Sequence, residues 1–169
     1  RFWDDGVTPS QAGIKAAEKA ISKSGVNKQD IGCLLHTSVS RDFLEPATAT
    51  VVHDSLGLPP TATIFDISNA CLGFINGMVT LANMIELGQI RAGIVVGCEN
   101  SKPIIDATIN RLLKDPDVTR DKLKLAFATL TLGSGAVATV LTHSSLSRDG
   151  HKLLGGVTRA ASQHNNLCR

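Results

Sequence analysis

The sequence contains no tyrosine, one tryptophan and five phenylalanines, so aromatic residues make up only 4% of its 169 positions. A core built here has to come from aliphatic side chains. The 43% hydrophobic share supplies enough of them for a chain of this length to bury a sizeable interior within one domain. Charge of one sign is also missing: the formal net charge is +2, and the densest basic stretch, Lys102, Arg111, Lys114, Arg120, Lys122 and Lys124, is interleaved with Asp106, Asp115, Asp117 and Asp121. Such alternation marks a solvated helix and loop, and argues against a nucleic-acid partner. Apolar runs break at Gly, Asn, Thr or a charge well before the ~20 residues that a membrane span needs, and the first residues lack a signal-peptide pattern. The four cysteines form no CxxC pair, no metal-ligand spacing with histidine and no small disulfide framework, so a reducing, cytoplasmic setting without a bound metal is expected. The absence of an initiating Met reads as a piece of something longer.

What is present is a regular alternation of helix and strand signals. Thr8-Pro9-Ser10 supplies an N-cap hydroxyl and a first-turn proline, Ile14, Ala17 and Ile21 recur at helical spacing, and Gly25 ends the run. Residues 30–39 predict a buried strand with a polar loop after it, and Pro46 announces a helix over 47–56 that stops at Gly57 and Pro59-Pro60. Strand density returns at 63–68, a helix with Phe74, Met78, Leu81, Ala82 and Ile85 on one face follows, and 92–97 predicts a strand covered on both sides. After a helix over 103–114, residues 123–129 fit either helix or strand. Residues 137–142 and 153–161 predict two closing strands. Alternation of this kind implies a layered α/β domain.

Of the cysteines, only Cys71 falls between a predicted strand and a predicted long helix, in Ser68-Asn-Ala-Cys-Leu-Gly-Phe74. The unpaired N–H groups and positive dipole end of a helix start stabilise a thiolate, whose ordinary pKa is about 8.5. Small neighbours at Ala70 and Gly73 leave the sulfur approachable, and an N–H at the turn can serve an oxyanion. Against this stands the usual state of a free cysteine, a small buried hydrophobe, which is the expectation for Cys33 and Cys98. Cys168 is uninformative.

The string Asp66-Ile-Ser-Asn-Ala-Cys-Leu-Gly-Phe74 resembles the nucleophile segment of the ketoacyl-acyl-carrier-protein synthase III family within the thiolase superfamily. Leu34-Leu-His-Thr-Ser38, Ala92-Gly-Ile-Val-Val-Gly-Cys-Glu99 and Gly133-Ser-Gly-Ala136 are similar, in order, to the strand before that family's dimer-interface loop, the strand after its nucleophile helix and its Gly-Asp-Gly-Ala turn. The resemblance implies a thiolase-like layered αβαβα fold. Residues 1–169 would form most of its N-terminal half, lacking the first strand, with a mixed sheet and a buried nucleophile helix. It also implies a homodimeric acyltransferase in which Cys71 takes up an acyl group from acyl-CoA or acyl carrier protein, with no permanently bound cofactor.

Two positions depart from the family pattern. Ser134 stands where the turn usually carries Asp, and Glu45 stands where bacterial initiating synthases tend to have an aromatic residue. Asp42-Phe-Leu-Glu-Pro-Ala-Thr48 looks like the corresponding loop of OleA-type enzymes, which join two long-chain acyl-CoAs without decarboxylation and whose matching Glu reaches the partner subunit's site. Condensation of that kind has to remove a proton from the α-carbon of a thioester. A carboxylate base in a dry pocket meets the requirement, whereas a decarboxylating synthase needs none. Read without the resemblance, Glu45 is an exposed loop acid ahead of a helix, favoured there by the dipole. Its rivals are a decarboxylating synthase III and an inactive thiolase-like subunit that dimerises or docks a carrier. His36 is expected to be a satisfied core or interface histidine, and His164 and Asn165 are not assigned to the family's His and Asn, which belong to its second half.

Overall fold

The computed structural model describes residues 2–166. Helix α1 (Pro9–Ser24) begins as its sequence dictates. Thr8 accepts from the Gln11 backbone N–H while the Gln11 side chain accepts from Thr8 N–H, and Gly25 closes the helix at φ 63°, a left-handed position that glycine occupies without strain. Strand β1 (Ile31–His36), helix α2 (Thr48–Leu56) and strand β2 (Thr63–Asp66) follow, then helix α3 (Gly73–Glu86), strand β3 (Ala92–Glu99), helices α4 (Lys102–Lys114) and α5 (Arg120–Leu130) and strand β4 (Gly135–Thr142).

The four strands form one mixed sheet in the order β2-β1-β3-β4, with β1 parallel to both β2 and β3, and β4 antiparallel to β3. Strands β1 and β3 lie at the centre and are buried almost throughout, which is why their sequences are unbroken apolar runs. Side-chain alternation divides the core between the two faces. Leu34, Ile94 and Val96 pack with Ala17 and Ile21 of α1 and Ala49, Val52 and Leu56 of α2; Cys33, Leu35 and Val95 pack with Leu81 of α3. Each fully buried Leu, Ile or Val among them contributes about 1.5–3 kcal/mol.

Close approach of α3 to the sheet depends on glycine. A Cβ at Gly77 would lie 2.9 Å from Thr37 Cγ2 and 3.0 Å from Val95 Cγ1, and one at Gly93 would lie 2.7 Å from Leu81 Cδ2. Helix α3 thus buries Gly73, Gly77, Leu81 and Ile85 on the sheet side, while Leu72, Ile75 and Val79 on its other side are exposed within this chain.

Residues 123–129, open between helix and strand from sequence, lie in α5, which Thr119 caps by accepting from Lys122 N–H. The second closing strand expected at 153–161 is absent. This segment carries no strand, Leu154 and Val157 are each 93% exposed, and Gly155 sits at φ 134°. β-Branched and aliphatic residues make a strand only in a ladder, and this segment pairs with neither edge strand of the sheet, β2 or β4. The acidic and basic stretch is solvated as expected, with exposed pairs Lys102–Asp106 and Lys124–Asp121. No helix among the described residues is long and apolar enough to cross a membrane.

Candidate active site

Because β1, β2 and β3 are parallel, the loops leaving them emerge at one edge of the sheet, and the antiparallel pairing of Gly135 with Glu99 brings the start of β4 to the same edge. The connection after β1 runs to α2 on one face, and the turn after β2 runs to α3 on the other. In open α/β sheets such divergence at the carboxyl ends of adjacent strands is where ligands bind. Glu45 lies on the first of these loops and Cys71 on the second.

Cys71 occupies a short 3-10 turn, Ala70–Leu72, that feeds directly into α3. Leu72 N–H donates to Asn69 C=O and Asn69 Nδ2 donates to Asn76 Oδ1, tying the turn to the helix. Ala70 has φ 42°, the one described non-glycine residue with positive φ, and such a conformation costs an L-residue roughly 1–2 kcal/mol. The strained turn leaves the Cys71 thiol exposed, whereas Cys33 and Cys98 are buried. No side chain caps the α3 N-terminus. Desolvation pushes the thiols of Cys33 and Cys98 up to about 11 and about 12, so both are inert at neutral pH. Cys168 lies outside the described residues.

Glu45 is exposed on residues 37–47, where the peptide bond to Pro46 is cis, and its carboxylate has no hydrogen bond or ion pair among the described residues. The segment around it is heavily anchored. Glu99, at the end of β3, accepts from Val39 N–H (2.7 Å) and Ser40 N–H (2.9 Å). Asp42 accepts from both the backbone N–H and the hydroxyl of Ser10 at the start of α1. Asp66, at the end of β2, accepts from Thr48 N–H and Ala49 N–H, both at 2.9 Å, and so caps α2 from a neighbouring strand where Ala47 offers no side-chain cap.

Beneath this edge His36 is fully buried, with Nε2 3.0 Å from Cys98 Sγ and Nδ1 3.6 Å from Asp66 Oδ1, beyond hydrogen-bond reach. Burial lowers its pKa against the opposing pull of the Asp66, Glu99 and Asp42 carboxylates; it is a core histidine, as expected, but not a fully satisfied one, since its buried Nδ1 has no hydrogen-bond partner among the described residues. Ser134 Oγ accepts from Ser101 N–H and sits 3.4 Å from Asn100 Oδ1, fastening the glycine-rich turn to the end of β3. Sequence reasoning missed Asp66 and Glu99 as loop anchors. The available signal was an acid closing each of two strands. Two shallow surface concavities, one along α5 at Arg120, Leu123, Lys124 and Phe127 and one at Gly25–Asp30 with Ser145–Arg148, include neither Cys71 nor Glu45. Among the described residues no His, Cys, Asp and Glu side chains cluster to hold a metal ion.

The mixed sheet with helices on both faces and an exposed thiol on the turn entering α3 is a thiolase-like α/β arrangement. The chain belongs to the 3-oxoacyl-(acyl-carrier-protein) synthase III family, whose model matches residues 65–161. It is 45% identical over its whole length to an acyl-CoA:acyl-CoA alkyltransferase of Shewanella oneidensis and 44% identical to the protein of that name from Xanthomonas campestris, covering 49% and 50% of them. It thus spans about half the length of these curated relatives. A β-ketoacyl-(acyl-carrier-protein) synthase III of Koribacter versatilis is 34% identical over 62% of this chain and 31% of its own length. Among solved structures, cerulenin-bound Xanthomonas OleA superposes with a TM-score of 0.92 at 43% identity, covering 98% of this chain and 51% of that one. A Cys-to-Ser variant of the same protein with bound lauric acid and lauroyl-CoA superposes at 0.89 and 40% identity, covering 100% of this chain and 51% of that one.

Proposed function

We propose that this chain is the nucleophile-bearing N-terminal half of an acyltransferase that joins two fatty acyl-CoAs head to head. The exposed Cys71 thiol on the strained turn entering α3 carries the proposal, and 44–45% identity to acyl-CoA:acyl-CoA alkyltransferases supports it. Cys71, as thiolate, attacks the thioester carbonyl of a first acyl-CoA. The tetrahedral oxyanion is stabilised by the backbone N–H of Cys71, those of Leu72 and Gly73 being engaged by the Asn69 and Ala70 carbonyls, and collapse releases CoA thiolate and leaves an acyl-Cys71 thioester. Glu45, reaching in from the partner subunit of a homodimer, removes the α-proton of a second acyl-CoA. The resulting carbanion attacks the acyl-Cys71 carbonyl, expels the Cys71 thiolate and forms a β-ketoacyl-CoA, which water cleaves to a β-keto acid and CoA. A setting in the cytoplasm and the use of free acyl-CoA, with no permanent cofactor, accompany this assignment. The exposed face of α3, with Leu72, Ile75 and Val79, supports a further layer packing there in the whole enzyme.

The family model and the synthase III relatives favour one second reading, a decarboxylating synthase that condenses an acyl group with a malonyl-carrier substrate. Glu45 distinguishes the two, because decarboxylation generates its own carbanion. In the full-length enzyme, Glu45→Ala is expected to retain acylation of Cys71 from lauroyl-CoA, seen as the mass of the protein adduct. Condensation should fall by at least a hundredfold, whereas Cys71→Ala loses both steps. Condensation by the Glu45 variant at near wild-type rate removes Glu45 from the mechanism and favours the decarboxylating reading.

A further inference from the structure

Two carboxylates sit at the carboxyl ends of two parallel strands, and each grips two successive backbone N–H groups at opposite ends of the segment that carries Glu45. Glu99 holds Val39 and Ser40 where the segment leaves β1, and Asp66 holds Thr48 and Ala49 where it enters α2. Between them Asp42 is held by Ser10. Further ties lie beside the Glu99 grip: Ser40 Oγ donates to Asn100 C=O and accepts from Asn100 N–H. Ordinary loops satisfy their N–H groups with water. This one commits three carboxylates to backbone and side-chain donors with no Arg or Lys partner among the described residues, which likewise leave the Glu45 carboxylate unengaged. The bonds are also directional: a carboxylate with both oxygens on consecutive amides fixes the orientation of that peptide pair, whereas a point charge would fix only its distance.

We infer that Glu99 is a positioning residue for Glu45, its two-point grip on Val39 and Ser40 setting where the loop presents that carboxylate. The inference rests on Glu45 acting as the base, and it adds a residue on whose grip of the loop that base depends. A reaction that must bring a carboxylate within hydrogen-bond distance of one α-proton in a partner subunit loses rate steeply with small displacements of the loop. Acylation of Cys71 does not use the Glu45 carboxylate, and the thiol is held by the turn after β2 and by α3.

The test is Glu99→Gln in the full-length enzyme. The amide keeps the size and one acceptor oxygen but turns an NH2 group toward one of the two backbone donors, so one grip is lost and replaced by a donor-donor clash. Condensation turnover is expected to fall at least tenfold, with the KM for acyl-CoA and the rate of Cys71 acylation from lauroyl-CoA within twofold of wild type. Amide exchange should rise at Val39 and Ser40. A general structural defect would lower both steps together, and that result overturns the inference, as does condensation within twofold of wild type. Should the variant not fold, Glu99→Asp, which keeps the charge but shortens the reach to the Val39 and Ser40 N–H groups, is read by the same two assays. A condensation loss of threefold or more with acylation intact supports the inference, and unchanged condensation overturns it. Glu45→Ala measured alongside separates the failures. If it abolishes condensation while Glu99→Gln does not, the positioning role falls alone. If it condenses normally, the base assignment falls and takes the positioning role with it.

Discussion

Removing the carboxylate of Asp66 tests how a helix can be capped by a neighbouring strand. In Asp66→Ala the backbone N–H groups of Thr48 and Ala49 each lose a 2.9 Å bond to a charged acceptor, and Ala47 has no side chain to replace it. Hydrogen bonds to an ionised partner are worth about 1.5–3 kcal/mol each, which sets an upper range of about 3–6 kcal/mol. Two effects reduce it: the variant no longer buries an anion whose side chain is only 8% exposed, and water can reach part of the vacated site. The expected loss is about 3 kcal/mol, or roughly 6–12 °C in Tm for a domain of this size. Asp66→Asn keeps one acceptor and should lose about half as much. Urea unfolding measures the difference, and hydrogen exchange localises it, since the amides of Thr48 and Ala49 should exchange faster while those of α1 do not change. An Asp66→Ala variant within about 0.5 kcal/mol of wild type would refute the view that α2 is capped from β2.

Stability should also fall at alkaline pH. The thiols of Cys33 and Cys98 are raised by burial to about 11 and about 12 in the folded protein, so above about pH 9, past the ordinary thiol value, the unfolded chain releases protons that the folded chain keeps. The stability these thiols contribute is present below pH 9 and is lost as pH rises, at about 1.4 kcal/mol per pH unit for each thiol until the folded values are reached. Tyrosine, absent from the sequence, adds nothing to this range. Urea midpoints between pH 8 and 10.5 should show the slope, and a Cys33→Ala, Cys98→Ala double variant should lack most of it. Gly77→Ala should destabilise by about 1–2 kcal/mol in thermal unfolding. Overpacking against Thr37 and Val95 costs about 1–3 kcal/mol, and the helix-propensity gain of at most about 1 kcal/mol does not offset it; a variant more stable than wild type would contradict the packing.

Helices α1 to α4 and the three parallel strands were legible because their signals are local, while residues 123–129 of α5 fitted helix and strand alike. Thr8 and Pro9 open α1 and Gly25 closes it, within a few residues of the periodic run they bound. The apolar runs at β1 and β3 are too continuous for an exposed element. Cys71 was legible for the same reason: a strand, a small-residue turn and a helix are consecutive in the chain. Glu45 was not readable from its own surroundings, where it is one more acid ahead of a helix, and it entered only through a family likeness of the loop around it.

Sequence by itself determined the alternation of elements, the aliphatic composition of the core and the placement of a thiol at a strand-to-helix junction, since all three depend on contacts between residues close in the chain. Tertiary structure alone decided what residues 153–161 become, because a strand exists only where it pairs and this segment pairs with neither edge strand, β2 or β4. It also decided that Asp66 and Glu99 serve loops and a helix start lying 17 to 60 residues away. A carboxylate can satisfy backbone N–H groups from any part of the chain that folding brings within about 3 Å, and that distance is not written in the local sequence.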